Sequence, residues 1–213
     1  MVVGRWNGWL VALALVVCVA QARADADDEF RRGLQAYHRG DVATAMTTLR
    51  PPANAGHAPS QRLLAYIFDR ADFTDDAFRL YTAAAAQGDA EANAGLANLY
   101  LTGRGVAKDE KKALEHFSKA ADLGDTASIE WLADAYLKGS YGLGAEPRDN
   151  VRTQAVVKRA AEQGYLPAID ALSRAYRDGG LGLPADAALA QQWQARGAEL
   201  RKQRGMAVPK AKP

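Results

Sequence analysis

The chain has 213 residues, of which 48% are hydrophobic and 24% charged, and its 27 basic and 25 acidic side chains give a formal charge of +2. Two of the basic residues, Arg5 and Arg23, fall in an N-terminal segment that reads as a leader. The remainder is therefore neutral, 25 against 25, and lacks the positive field that would draw nucleic acid or an anionic surface to it. The single cysteine, Cys18, lies in the same segment, which leaves the rest without an internal disulfide and without thiol chemistry.

The leader is residues 1–24, where Arg5 precedes an uncharged apolar run from Trp9 to Ala20 and Gln21-Ala22-Arg23-Ala24 closes the segment. The run is shorter than the roughly 20 residues that cross a bilayer. Ala22 and Ala24 supply the small side chains that a signal peptidase accommodates. The expectation is a signal peptide cleaved after Ala24, a periplasmic or secreted protein beginning at Asp25, and no stable membrane span after processing. An uncleaved anchor, with Trp6 and Trp9 at a membrane interface, is the alternative. Lipid attachment at Cys18 is disfavoured by the β-branched Val17 before it.

Five pairs of amphipathic segments follow. Residues 25–57, with Gly33, Tyr37, Gly40-Asp41, Ala45, Leu49 and Gly56, form a first hairpin or cap. Residues 58–90 carry Leu64, Phe68, Ala77, Tyr81, Ala84 and Gly88-Asp89. The fullest version is residues 91–126: Ala92, Leu96, Tyr100, Gly103-Arg104-Gly105-Val106, Asp109, Ala113, Phe117, Ala120-Ala121 and Gly124-Asp125. Residues 127–166 repeat it with Leu132, Tyr136, Gly139, Asp149, Val157, Ala160-Ala161 and Gly164, the offset growing from 36 to 40 residues where Ser140 to Pro147 lengthens the loop. Residues 167–198 repeat it again with Ala168, Leu172, Tyr176, Gly179, Gly182, Asp186, Ala190 and Trp193. Residues 199–213, with Arg201, Lys202, Arg204, Lys210 and Lys212 against Glu199, read as a basic disordered tail.

Each element has a mechanical reason. A leucine and a tyrosine four apart share a helix face, as do Ala113, Phe117 and Ala120, so no hairpin can bury its apolar face alone and neighbours must stack. Glycines such as Gly103 and Gly139 stand where a helix ends in the left-handed region. Asp109, Asp149 and Asp186 precede second helices, where a short carboxylate caps free amides. Gly88-Asp89 and Gly124-Asp125 repeat that stop and cap between hairpins, and Pro59 and Pro167 suit the first turn of a helix.

The run Leu96, Tyr100, Gly103-Arg104-Gly105-Val106, Asp109, Ala113, Ala120-Ala121 and Gly124, with weaker copies on both sides, resembles the Sel-one-like repeat, a relative of the tetratricopeptide repeat, over roughly residues 26–198. The resemblance implies an all-α fold: a right-handed solenoid of about five stacked helix-turn-helix hairpins whose first helices line the concave side. The first hairpin, turning on Gly40-Asp41, is closer to a plain tetratricopeptide hairpin or a cap. Asp69 to Phe73 replaces the Gly-x-Gly-Val loop, and Thr153 stands where alanine is usual. Those two hairpins are expected to pack at altered angles.

Candidate chemistry is sparse. His38, His57 and His116 fall in different units at no metal-ligand spacing, so neither a metal site nor a cofactor is expected. No catalytic residues are assigned, since no nucleophile elbow or phosphate loop is present. Gly103-x-Gly105 and Gly139-x-x-Gly142-x-Gly144 follow a helix rather than a strand and read as turns. Asp75-Asp76 and Asp109-Glu110 read as helix starts. Trp193 is expected in the core, while Trp131 reads equally as core or as contact.

A surface of first helices suits an extended peptide or a partner's helix. The register of Asn98 makes Tyr66, Asp134 and Arg174 its equivalents, with Trp131 and Arg177 one turn away; these six are the candidate partner-binding residues. The resemblance implies a non-catalytic periplasmic scaffold or adaptor for another protein or peptide of the envelope, in a secretion or signalling assembly. No nucleic acid is expected as partner, and the oligomeric state is open. Two alternatives stand beside it, a hydrolase acting on a cell-wall or β-lactam-like substrate and a peptidoglycan-binding module. The disulfide-paired cysteines of exported relatives linked to β-lactam chemistry are absent.

Overall fold

A computed structural model describes residues 7–141 and 151–207, with side chains from Val17 onward. Arg5, Trp6, the ring of Trp9, Gly142, Gly144, Pro147, Asp149, Lys210 and Lys212 thus lie outside the described residues. Among the described residues every regular element is helical, and the chain forms two compact units, Met1–Leu99 with Gly103–Ala107, and Tyr100–Thr102 with Lys108–Pro213.

The first unit contains α1 (Asn7–His38), α2 (Val42–Asn54), α3 (Ala58–Arg70), α4 (Thr74–Ala85) and most of α5 (Ala90–Thr102). Helices α1, α2, α3 and α4 pack each against the next. Their apolar stripes meet in one core that includes Leu49, Leu64, Ile67, Leu80, Tyr81, Leu96 and Leu99. The approach is close because small residues line it. A Cβ built on Gly95 would stand 2.5 Å from Cε1 of Tyr81, and one on Gly33 2.6 Å from Cγ of Leu49, so only glycine fits at either helix surface. Helix α1 runs unbroken through the expected processing point at Ala24.

The second unit contains the end of α5 with α6 (Glu110–Asp122), α7 (Thr126–Lys138), α8 (Val151–Glu162), α9 (Leu166–Asp178) and α10 (Ala187–Gln203). Again each of α6 to α10 packs on the next, and α7 also meets α9. Phe117, Ile129, Leu132, Tyr136, Val157, Ile169 and Leu172 are buried here with Ala113, Ala120, Ala160 and Ala161. Thr153, in an alanine position, is buried in α8.

The caps form where the sequence places them. Asp41, Asp89, Asp109, Asp125 and Asp186 each accept a hydrogen bond from the amide three residues on, at 2.7–3.1 Å. Each satisfies one of the amides that a helix start leaves open. Pro59 and Pro167 stand in the first turns of α3 and α9. Asp75 and Asp76 lie in the first turn of α4.

Two expectations are corrected. The basic tail does not begin at residue 199: α10 continues to Gln203, Arg201 pairs with Asp170 of α9, and Arg204 donates to the Gly164 carbonyl at 3.2 Å. The Arg201 guanidinium finds its acceptor on the first helix of its own hairpin, and the exposed Arg204 reaches back to the turn before α9. Trp193 is only half-buried, with the Arg196 guanidinium 5.5 Å from its ring centroid.

The short loop Asp69 to Phe73 closes through a long side chain. Asp72 takes a left-handed φ of 66°, and Arg104, from the next repeat's loop, donates to the Asp69 carbonyl at 2.6 Å and to the Asp72 carboxylate at 3.1 Å. Gly105 lets that loop come so near that a Cβ would lie 2.6 Å from the Thr74 carbonyl oxygen.

Candidate functional site

One register recurs in four first helices. Leu64, Leu96, Leu132 and Leu172 are buried to 3% exposure or less. Two residues later stand Tyr66, Asn98, Asp134 and Arg174, all exposed or half-exposed. A shared core position thus turns a variable side chain outward, 100° per residue around the helix.

In the first unit Tyr66 is 42% exposed and meets Tyr37 edge to face, ring centroids 6.0 Å apart. Burial, and then the hydrogen bond to Tyr66, push the Tyr37 phenol up from its ordinary value. Asn98 lies on α5 with its side chain at the surface.

In the second unit Trp131 and Asp134 share α7, and Arg174 and Arg177 share α9. Trp131 is half-buried, packed toward the core on one face and reaching the surface on the other. Its ring stacks on buried Phe117 at 3.9 Å and on exposed Tyr141 at 4.9 Å. Asp134 holds Lys138 at 2.7 Å, and that hydrogen bond raises the lysine's pKa. Arg177 pairs with its neighbour Asp178 at 2.9 Å, holding that carboxyl below the usual range.

Tyr141 is the residue the sequence reading missed. It sits 36 positions after Gly105, and its φ of 56° reproduces the 65° of that glycine; Leu181, a further 40 on, also has 56°. Aligning the loops by position, rather than by glycine content, would have found it.

Two histidines are held by partners. His116 stacks on Tyr100 at 5.6 Å, 12° from parallel, and burial, then Lys119, lower its pKa. His57 bridges Asp27 at 3.0 Å and the Ser60 hydroxyl at 2.8 Å. This order of carboxylate, imidazole and hydroxyl is the one an activated serine requires. Ser60 is however 0% exposed, in the first turn of α3. The trio as it stands ties α1 to the turn before α3. Among the described residues no group of three or more potential ligands is placed to hold a metal ion, and no helix is long and apolar enough to cross a membrane.

The Sel1 repeat family matches residues 58–89, 90–125, 127–165 and 167–201, more than half of the chain. The fourth match reaches into the stretch expected to be tail. An uncharacterised protein of Neisseria meningitidis serogroup B is 33% identical over 132 residues, 62% of this chain, but the chain spans only 27% of that relative's length. A Sel1 repeat protein from Oxalobacter formigenes superposes with a TM-score of 0.63 at 26% identity, covering 84% of this chain and 73% of its own. A protective antigen of uropathogenic Escherichia coli with the same type of repeat fold gives 0.67 at 24% identity, over 90% of this chain and 44% of its own. Such repeats are generally protein–protein interaction scaffolds, and mostly non-catalytic ones. With four consecutive repeats matched and helical hairpins packed on their neighbours, the chain belongs to the Sel1 repeat family.

Proposed function

We propose that this protein is a non-catalytic scaffold or adaptor of the cell envelope, exported by cleavage after Ala24, that binds a partner protein or peptide through the first helices of its hairpins. The observation that carries the reading is the recurrent register. Over a nearly invariant buried leucine, the outward position is in turn tyrosine, asparagine, aspartate and arginine. Invariant packing under variable surface chemistry is what recognition of another chain needs.

The binding test is affinity capture from an envelope extract. Replacing Trp131 and Arg174 together with alanine is expected to remove at least one captured protein, and an unchanged set would sink the proposal. Export is tested separately by fractionation and mass spectrometry of the protein's N-terminus. A full-length protein confined to the cytoplasm would remove the envelope from the reading and leave the scaffold.

The Asp27–His57–Ser60 trio gives the hydrolase reading one geometric observation. Its nucleophile is sealed from solvent, so turnover of a chromogenic β-lactam or of purified peptidoglycan is expected to be nil. Turnover abolished by Ser60→Ala would replace the scaffold reading with the enzymatic one.

A further inference from the structure

Two residues after the Gly139 helix stop, where the equivalent position after Gly103 holds Gly105, the left-handed residue is a tyrosine, not a glycine. An L-residue there costs roughly 1–2 kcal/mol relative to the right-handed region, and glycine escapes that cost. The strained backbone holds the Tyr141 ring against Trp131, whose ring in turn stacks on Phe117. Exposure rises along this series, from 4% for Phe117 through half-buried Trp131 to 38% for Tyr141. The stack runs from core to surface and ends on an accessible aromatic ring.

A carboxylate borders it. Asp134 lies one turn beyond Trp131 on α7, and its partner Lys138 is within electrostatic reach of Tyr141. The Lys138 side chain that pairs with Asp134 is 66% exposed, so a competing cation can reach that carboxylate at little desolvation cost.

We propose that Tyr141 and Trp131, with Asp134, form a docking site for an arginine-bearing extended segment of a partner protein. The choice of arginine is chemical. A planar guanidinium stacks on an aromatic face and presents a fork of donors to a carboxylate at its edge, whereas an ammonium satisfies one or the other. The site rests on the scaffold reading and narrows it to one partner chemistry.

The test is calorimetric titration of the full chain with an acetylated, amidated pentapeptide of alternating glycine and arginine. Lysine and glutamate versions and a neutral N-acetylglucosamine disaccharide serve as comparison probes. Arginine is expected to bind, lysine several-fold more weakly, and glutamate and the sugar not measurably. Tyr141→Gly, which also relieves the backbone, and Asp134→Asn are each expected to weaken the arginine peptide about five- to tenfold. Circular dichroism confirms that each variant folds.

No arginine binding, binding untouched by both variants, or equal binding of glutamate or sugar overturns the proposal. Concentration-dependent self-association lost in Tyr141→Gly would assign the stack to a second copy and overturn it too. If the peptide fails while the Trp131 and Arg174 double variant still loses envelope partners, this site falls and the scaffold reading stands. If both fail, both fall.

Discussion

The ring of Tyr81 in α4 lies directly on the backbone of Gly95 in α5, with Cε1, Cζ and Cδ1 at 2.5, 2.6 and 2.8 Å from where a Cβ would stand. Alanine is the better helix former by about 1 kcal/mol, yet here it must displace a buried aromatic ring. Overpacking of this kind costs typically about 1–3 kcal/mol. Gly95→Ala is therefore expected to lower the urea midpoint, and Tyr81→Leu in the same chain to recover part of the loss. Two losses that simply add would show that the residues do not touch.

Arg104 closes the irregular loop of the preceding repeat through Asp69 and Asp72. Arg104→Ala leaves the Asp69 carbonyl without that donor and its largely buried carboxylate without that cation, at a cost of about 1–2 kcal/mol. Arg104→Lys is expected to restore less than half, because one ammonium cannot serve both acceptors. Chemical denaturation of the three chains measures the order, and a fully rescuing lysine would reduce the contact to simple charge.

Leu181 takes the same left-handed backbone as Tyr141. Leu181→Asn is expected to be tolerated, since asparagine visits this region readily. Leu181→Val, β-branched, is expected to destabilise by about 1 kcal/mol or more. Equal thermal midpoints for the two variants would contradict the backbone assignment.

His116 has its pKa lowered by burial against Tyr100 and by Lys119. The folded state then binds the proton less readily than the unfolded chain, whose histidine titrates near 6.5. Stability from this group is present above that pH and is lost progressively as pH falls below it. The thermal midpoint is expected to drop between pH 7.5 and 5, and His116→Phe to flatten the part of the drop that this residue causes. An identical profile in the variant would remove His116 from the account.

The sequence by itself determined the hairpins, because everything that marks them is local. Asp89, Asp109, Asp125 and Asp186 cap the helices whose starts they announce, and the alternation of leucine, tyrosine and alanine places Leu64, Leu96, Leu132 and Leu172 inside. The expected units 58–90, 91–126, 127–166 and 167–198 differ from the matched repeats by three residues at most. The outward register of Tyr66, Asn98, Asp134 and Arg174 follows from the same spacing.

What only the tertiary structure decided are contacts between residues remote in the chain. Arg201 reaches Asp170, His57 joins Asp27 to Ser60, and Trp131 gains Phe117 below it and Tyr141 at its surface. Composition misled where it was used alone: a basic stretch read as tail found acceptors on Asp170 and Gly164, and the glycine-free loop Asp69 to Phe73 kept a left-handed residue at Asp72. Local rules fix where a helix begins and ends, but which side chain occupies a neighbour's surface depends on distances that form only when the hairpins pack.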